Sequence, residues 1–168
     1  MEKVGIFYGS MSGNTRVIAE LIKSKLPENK ADIYDIFESK HNIINKYDNL
    51  IFGVPTWRKM DLHEDWRIFL DNIACFNLNK KIVAIYGLGD QFMFSNAFAD
   101  AIGLIYYRLK NKGCKFIGQW PVDGYMFNKS NATINNHFIG LVIDEDNQSE
   151  LTEERVDKWI EEIIPNFK

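Results

Sequence analysis

Short apolar runs that end at glycine or proline alternate along this chain with amphipathic segments, and this alternation restricts the fold more than any other feature. The first run, Val4 to Tyr8, ends at Gly9 and is followed by a segment with helical periodicity. Further strands are predicted at Ala31 to Ile36, Leu50 to Val54, Ile82 to Tyr86 and Lys115 to Ile117. Apolar strands alternating with amphipathic helices predict an α/β fold, with a parallel sheet covered by helices on both faces.

Two later helices are indicated by the spacing of their apolar residues. The first is predicted to start near Phe94 and to stop near Gly113, and its apolar positions are Phe94, Phe98, Ala101, Ile102, Ile105 and Leu109. The last starts near Thr152, which is predicted as its N-cap, and ends before Pro165. Between the strand at 115 and the apolar run 138–143 lies an insertion, residues 119–137, which is too long to be structureless in a compact domain.

Length and composition limit the functional classes. At 168 residues with 46% hydrophobic residues, the chain is predicted to form a single domain over 1–168. The net charge of −3 argues against a nucleic-acid partner, and we expect no membrane segment because no apolar run is long enough. Cys75 and Cys114 lack the spacing of metal ligands, so we expect reduced thiols in a cytoplasmic protein and no metal site.

A polar loop separates the first strand from the first helix, and it consists of Ser10, Met11, Ser12, Gly13, Asn14 and Thr15. Backbone N–H groups at a helix N-terminus, the helix dipole and three hydroxyl groups together suit a phosphate dianion. The loop lacks the Lys of a nucleoside-triphosphate loop and the three glycines of a dinucleotide fingerprint. The alternative is an ordinary polar turn that caps the helix.

Three more motifs follow in order: Pro55-Thr56-Trp57, Gly87-Leu88-Gly89-Asp90-Gln91, and the segment 140–148 after Asp123-Gly124-Tyr125. With the first loop, which fits the pattern Ser/Thr-x-Ser/Thr-Gly-x-Thr, they resemble the flavodoxin family over practically the whole chain. The resemblance implies a three-layer α/β/α sandwich around a five-stranded parallel sheet of order 2-1-3-4-5, with its last strand split by the insertion of long-chain members. It also implies a bound FMN, and a monomeric low-potential carrier that takes electrons from a reductase and passes them to an acceptor enzyme.

The resemblance also assigns residues to the cofactor. The first loop, Ser10 to Thr15, would hold the phosphate, while Trp57 and Phe94 would flank the flavin ring and Asp146 would lie near its edge. The remaining contacts would come from Pro55, Thr56, Arg58, Lys59, Met60, Leu88, Gly89 and Asp90. In a carrier no side chain need act as a catalyst, since electrons enter and leave through the exposed ring edge.

Departures from the family pattern lie near the open face of the flavin. Phe94 replaces the usual Tyr, and Arg58-Lys59-Met60 stands where a Gly commonly follows the Trp, so a peptide flip there should be more costly. This basic rim suggests an alternative, an FMN-dependent reductase of an anionic planar molecule such as a haem-derived tetrapyrrole. Arg58, His63 and His137 would then be the candidate catalytic residues. A phosphorylation-switched signalling module is disfavoured because no acidic cluster follows the first strand.

Overall fold

The computed structural model describes residues 1–10, 12–55 and 64–168, and for Asp65 the backbone alone. The strands are β1 (Val4–Tyr8), β2 (Ala31–Asp35), β3 (Asn49–Pro55), β4 (Ile82–Leu88), β5 (Lys115–Ile117), β6 (Trp120–Pro121), β7 (Thr133–Ile134), β8 (His137–Phe138) and β9 (Leu141–Ile143). The α-helices are α1 (Asn14–Lys25), α2 (Glu64–Ile73), α3 (Asp100–Leu109) and α4 (Thr152–Ile163). Short 3₁₀ helices lie at His41–Lys46, Ser149–Leu151 and Ile164–Asn166.

The main sheet is parallel, and its strand order is β2-β1-β3-β4-β5. β4 pairs along one edge with two short strands in succession: Ile82 is opposite Lys115 of β5, and Tyr86 is opposite Leu141 of β9. β5 and β9 therefore share the fifth position of the sheet, separated in sequence by the insertion. The predicted strand order and the split of the last strand are both confirmed.

The insertion forms a small antiparallel sheet of its own, in the order β6-β8-β7. Its apolar side chains pack on the segment that precedes α3, since the ring of Phe98 lies 5.9 Å from that of Phe138 and 5.3 Å from that of Phe127. Tyr125 extends this cluster, because its ring lies 5.7 Å from that of Phe98 and its hydroxyl donates to the carbonyl of Val142 at 2.6 Å. The insertion is thus packed against the main domain, as its length predicts.

Helices cover the sheet in two pairs. α1 packs against α4, while α2 lies beside α3, where Arg108 forms an ion pair with Asp71. The central strands are consequently buried on both sides, and every residue of β1 and β4 is buried. Of the described helices, none is long and apolar enough to cross a membrane.

The helix predicted to start near Phe94 begins instead at Asp100, so this boundary was wrong. Part of the intervening backbone bonds to the insertion instead of continuing a helix: the carbonyl of Ser95 accepts from the N–H groups of Asn128 and Lys129, at 2.9 and 3.0 Å. Ala99 then takes a left-handed conformation, with φ 53°, which interrupts any helix arriving from residue 94. Thr152 is likewise the first residue of α4 rather than its N-cap, and its hydroxyl donates to the carboxylate of Glu145.

The contact of α3 with the insertion gives a prediction about Gly103. A Cβ at this position would lie 2.3 Å from the carbonyl oxygen of Asn131, which is backbone and cannot move aside alone. Replacing glycine by alanine inside a helix ordinarily stabilises by roughly 0.5–1 kcal/mol, but here we expect Gly103→Ala to destabilise by about 2 kcal/mol. Urea unfolding measures this, with the exposed Ser24→Ala of α1 as control; a gain in stability for Gly103→Ala would contradict the packing.

Candidate functional site

A cavity of about 330 Å³ opens at the carboxyl edge of the main sheet. The ends of β3, β4 and β9 lie level there, since Leu88 is opposite both Pro55 and Ile143. Parallel strands therefore place their following loops around one space, which is where such sheets bind ligands. The cavity is lined by Ser12, Asn14, Thr15, Pro55, Leu88, Gly89, Asp90, Phe94, Glu145 and Asp146.

The loop before α1 is shaped by Gly13, which has a φ of 94°, a conformation that disfavours side chains. Its N–H donates to the hydroxyl oxygen of Ser10 at 3.0 Å, and its carbonyl accepts from Val17 at 3.0 Å to start the helix. The first turn of α1 contains no acidic residue. The partial positive charge of this helix end is thus not neutralised by a carboxylate of the first turn, and the loop suits an anion.

Thr15 is the most buried of the described residues of this loop, with 1% of its surface exposed. Its backbone is fixed by Tyr86, whose phenol passes over Gly53 of the neighbouring strand and donates to the Thr15 carbonyl at 2.9 Å. Burial raises the pKa of Tyr86 well above its ordinary value, so the phenol keeps the proton it donates. The Thr15 hydroxyl itself has no hydrogen-bond partner in the described part of the chain.

An unpaired buried hydroxyl costs roughly 1–3 kcal/mol, so folded proteins seldom retain one without a ligand or water to bind it. Thr15 lines the cavity, and its hydroxyl lies at the N-terminus of α1. The donor set at this point consists of neutral hydroxyl and backbone N–H groups, a combination that suits a phosphate. The residues present therefore fit a phosphate-bearing ligand.

Asp90 forms the opposite wall, where its side chain organises a tight turn. Its Oδ1 accepts from the backbone N–H of Met93 at 2.8 Å and of Phe92 at 3.0 Å, and from Nδ2 of Asn147 at 2.9 Å. Burial acts to raise the pKa of Asp90, but these three hydrogen bonds outweigh it and hold the pKa below its ordinary value. Asp90 is therefore a carboxylate, and not a proton donor, at neutral pH.

This lowered pKa predicts how stability depends on pH. The charge of Asp90 stabilises the fold above the ordinary aspartate pKa of about 3.9, and the stabilisation disappears as the pH falls through the lowered pKa. Asp90→Asn should therefore be less stable than wild type at pH 7, by about 1 kcal/mol or less because the group is partly exposed. The difference should vanish in acid. Denaturation at several pH values measures it, with Asp123→Asn on the insertion as control; a constant difference at all pH values would refute the role of the charge.

A buried carboxylate joins the two loops that form this wall. Asp144, fully buried, accepts from the backbone N–H of Gln91 at 3.0 Å and of Asn147 at 3.1 Å, and also from the Asn147 side chain. Gln91 in turn accepts the N–H of Met126, on the insertion, at 2.5 Å. The loop that carries Asp90 is thereby tied to both the segment after β9 and the insertion.

The structure gathers nine of the predicted cofactor residues around one cavity: Ser12, Asn14, Thr15, Pro55, Leu88, Gly89, Asp90, Phe94 and Asp146. Ser10 and Gly13 shape the loop beside it. Seven predicted residues lie outside the described residues: Met11, Thr56, Trp57, Arg58, Lys59, Met60 and His63. His137 is not brought to the cavity, because it is exposed on β8 of the insertion, and its electrostatic neighbour is Glu162 near the end of α4.

Sequence reasoning missed two parts of the site. Glu145 lines the cavity beside Asp146, and its position next to a predicted site residue was the available signal. The link from Asp144 to Gln91 had no local signal, because the two residues are 53 positions apart. No group of three or more His, Cys, Asp or Glu side chains suited to a metal was found among residues 1–10, 12–55 and 64–168.

Together these features define a class: doubly wound α/β proteins that bind a phosphate-bearing ligand where the first loop meets the carboxyl ends of the strands. The flavodoxin family model matches residues 6–159. A flavodoxin of Buchnera aphidicola is 44% identical over 168 residues, which cover 99% of this chain and 98% of the relative. Flavodoxin 1 of Escherichia coli is 41% identical over 164 residues, covering 97% and 93%. This chain belongs to the flavodoxin family.

Solved structures give the same result. The crystal structure of Fusobacterium nucleatum flavodoxin bound to flavin mononucleotide superposes with a TM-score of 0.94 at 33% identity, and all of both chains is covered. The family membership that the four sequence motifs predict is confirmed.

Proposed function

We propose that this protein binds one FMN and carries electrons between redox proteins. The observation that supports this most directly is the buried Thr15 hydroxyl, which has no partner among the described residues and lies in a neutral donor loop of a cavity that Phe94 and Asp90 also line. That combination suits a ligand with a phosphate at one end and a flat ring at the other. The Fusobacterium relative is described as bound to flavin mononucleotide, in agreement with the proposal.

Different groups of the described residues would bind different parts of the cofactor. Ser10, Ser12, Gly13, Asn14 and Thr15 would hold the phosphate. Phe94 would stack on the ring, which aromatic side chains do favourably in offset geometry. Leu88, Gly89 and Asp90 would border the ring edge, with Pro55 and Asp146 beside it. Met11, Thr56, Trp57, Arg58, Lys59 and Met60 keep the cofactor roles that the family resemblance assigns.

FMN, when bound, supplies chemistry that accepts and releases electrons one at a time. Among the described residues, three that bear carboxyl groups line the cavity and contribute electrostatically: Asp90, Glu145 and Asp146. Negative charge near the ring disfavours further negative charge upon it, so these residues would lower the reduction potential. Asp90, kept ionised by its hydrogen bonds, contributes at neutral pH.

The carrier is favoured over a reductase of an anionic tetrapyrrole. That alternative needs a proton donor beside the ring, and His137, one of its candidates, lies on β8 away from the cavity. Among the described residues, the charged side chains that line the cavity are carboxylates, which give no attraction to a substrate bearing carboxylates of its own.

Titration of the FMN-free protein with FMN tests the proposal, using the quenching of flavin fluorescence. We expect saturation at one FMN per chain. Haem added to the FMN-loaded protein should then produce no saturable absorbance band and should not be consumed. Failure to saturate would refute the cofactor assignment, and consumption of haem would replace the carrier with the reductase.

A further inference from the structure

Trp66, in the first turn of α2, has a buried indole N–H that the packing of the fold does not explain. The side chain is 1% exposed and packs edge-on against Phe52 and Phe69, with ring centroids 6.2 and 5.4 Å away. Its Nε1 has no hydrogen-bond partner in the described part of the chain. Indole nitrogen is a donor only, so what it lacks is an acceptor.

The indole nitrogen lies against Gly9, the residue that leads from β1 into the loop 10–15. A Cβ built on Gly9 would be 2.5 Å from Nε1, so only the missing side chain at this position allows the ring to approach the backbone. Glycine is therefore required at this position because the indole occupies the space that a side chain would need. Trp66 reaches the start of the loop from α2, while Thr15 stands at its end.

Unpaired buried atoms cluster at this loop. Within the described residues, three buried side-chain atoms lack a partner: Thr15 Oγ1, Trp66 Nε1 and Arg155 Nη1. Two of the three border the loop, one from α1 and one from α2. Folded proteins pair nearly all their buried polar groups, so two unpaired atoms beside one loop point to a partner outside the described residues.

We infer that the Trp66 indole N–H is a ligand-binding donor that bonds a phosphate oxygen of the cofactor, an inference that rests on the proposed function. Among the described residues that line the cavity there is no Lys or Arg, and the groups there that can donate to the dianion are neutral hydroxyl and N–H groups. Each such donor contributes substantially, because hydrogen bonds to charged groups are roughly twice as strong as neutral ones. Trp66 would thereby also distinguish FMN from riboflavin, which has the same ring and no phosphate.

The test compares Trp66→Phe with Trp159→Phe. Trp159 is the matched control, because it lies on α4, away from the loop, and is fully buried. Its Nε1 donates to the carbonyl of Gly118 at 2.8 Å. Both variants lose one indole N–H. We expect Trp66→Phe to weaken FMN binding about tenfold or more, from the loss of one hydrogen bond to a charged group. Its affinity for riboflavin should be unchanged, and Trp159→Phe should alter neither affinity.

A second measurement needs no variant. In the FMN-free wild-type protein labelled with ¹⁵N, inorganic phosphate should shift the indole N–H resonance of Trp66 and leave that of Trp159 in place. Equal losses for FMN and riboflavin, or a Trp66 resonance unmoved by phosphate, would overturn the inference. If wild type itself failed to bind FMN, the proposed function would fail, which is a separate outcome.

Discussion

Replacing Thr15 with valine should lower FMN affinity by about tenfold to a hundredfold while leaving the FMN-free protein at least as stable as wild type. The two side chains have the same shape, so the 1% exposed site remains filled. The hydroxyl has no partner in the described part of the chain, and its replacement by a methyl group removes a desolvation penalty. Opposite effects on stability and on affinity are the signature of a group reserved for a ligand.

Thr133→Val is the matched control for this substitution. Thr133 lies on β7 of the insertion, and its hydroxyl donates to the carbonyl of Ser130 at 3.0 Å. Its replacement should reduce stability by about 1 kcal/mol and leave FMN affinity unchanged. Urea denaturation and fluorescence titration give both quantities. A Thr15→Val variant that loses stability and retains affinity would show that the hydroxyl serves the fold.

Asp144→Ala should be the most destabilising substitution at the site, by about 3 kcal/mol or more. The fully buried carboxylate accepts from two backbone N–H groups, those of Gln91 and Asn147, and from the Asn147 side chain. Alanine would leave both backbone N–H groups without this acceptor, and the Asn147 side chain would retain only its hydrogen bond to Asp90. Because Asn147 also supports Asp90, FMN affinity should fall together with stability.

Urea unfolding of the FMN-free protein measures the first effect, and FMN titration at a temperature where the variant is folded measures the second. Asp123→Ala provides the control, because Asp123 is an exposed carboxylate on the insertion. If Asp144→Ala were as stable as the control, the carboxylate would not be what joins the two loops.

Much of the architecture could be predicted because its determinants are local. Apolar runs that end at Gly9 or before Pro55 mark strands of a parallel sheet, and such strands direct their loops to one edge. The phosphate loop was predictable for the same reason, since its residues are contiguous and adjoin a helix start. The observed boundaries differ from the predicted ones mainly where a segment distant in sequence forms hydrogen bonds with the backbone.

The segment before α3 shows such competition. Apolar spacing from Phe94 onward satisfies helical periodicity, yet the Ser95 carbonyl bonds to the insertion more than thirty residues later. No local pattern reports that pairing. The two-residue strands of the insertion could not be predicted from the sequence either, because a periodic pattern needs several residues to appear. Trp66 was also missed, since its approach to Gly9 depends on the packing of α2 against β1 and β3.

Anaerobic stepwise reduction of the FMN-loaded protein, followed by absorbance, tests the central claim most directly. A carrier that relays single electrons should be reduced in two separate one-electron steps, and its spectrum should not respond to added tetrapyrroles. Reduction in one two-electron step, accompanied by consumption of a tetrapyrrole, would contradict the account and identify the protein as a reductase of such molecules.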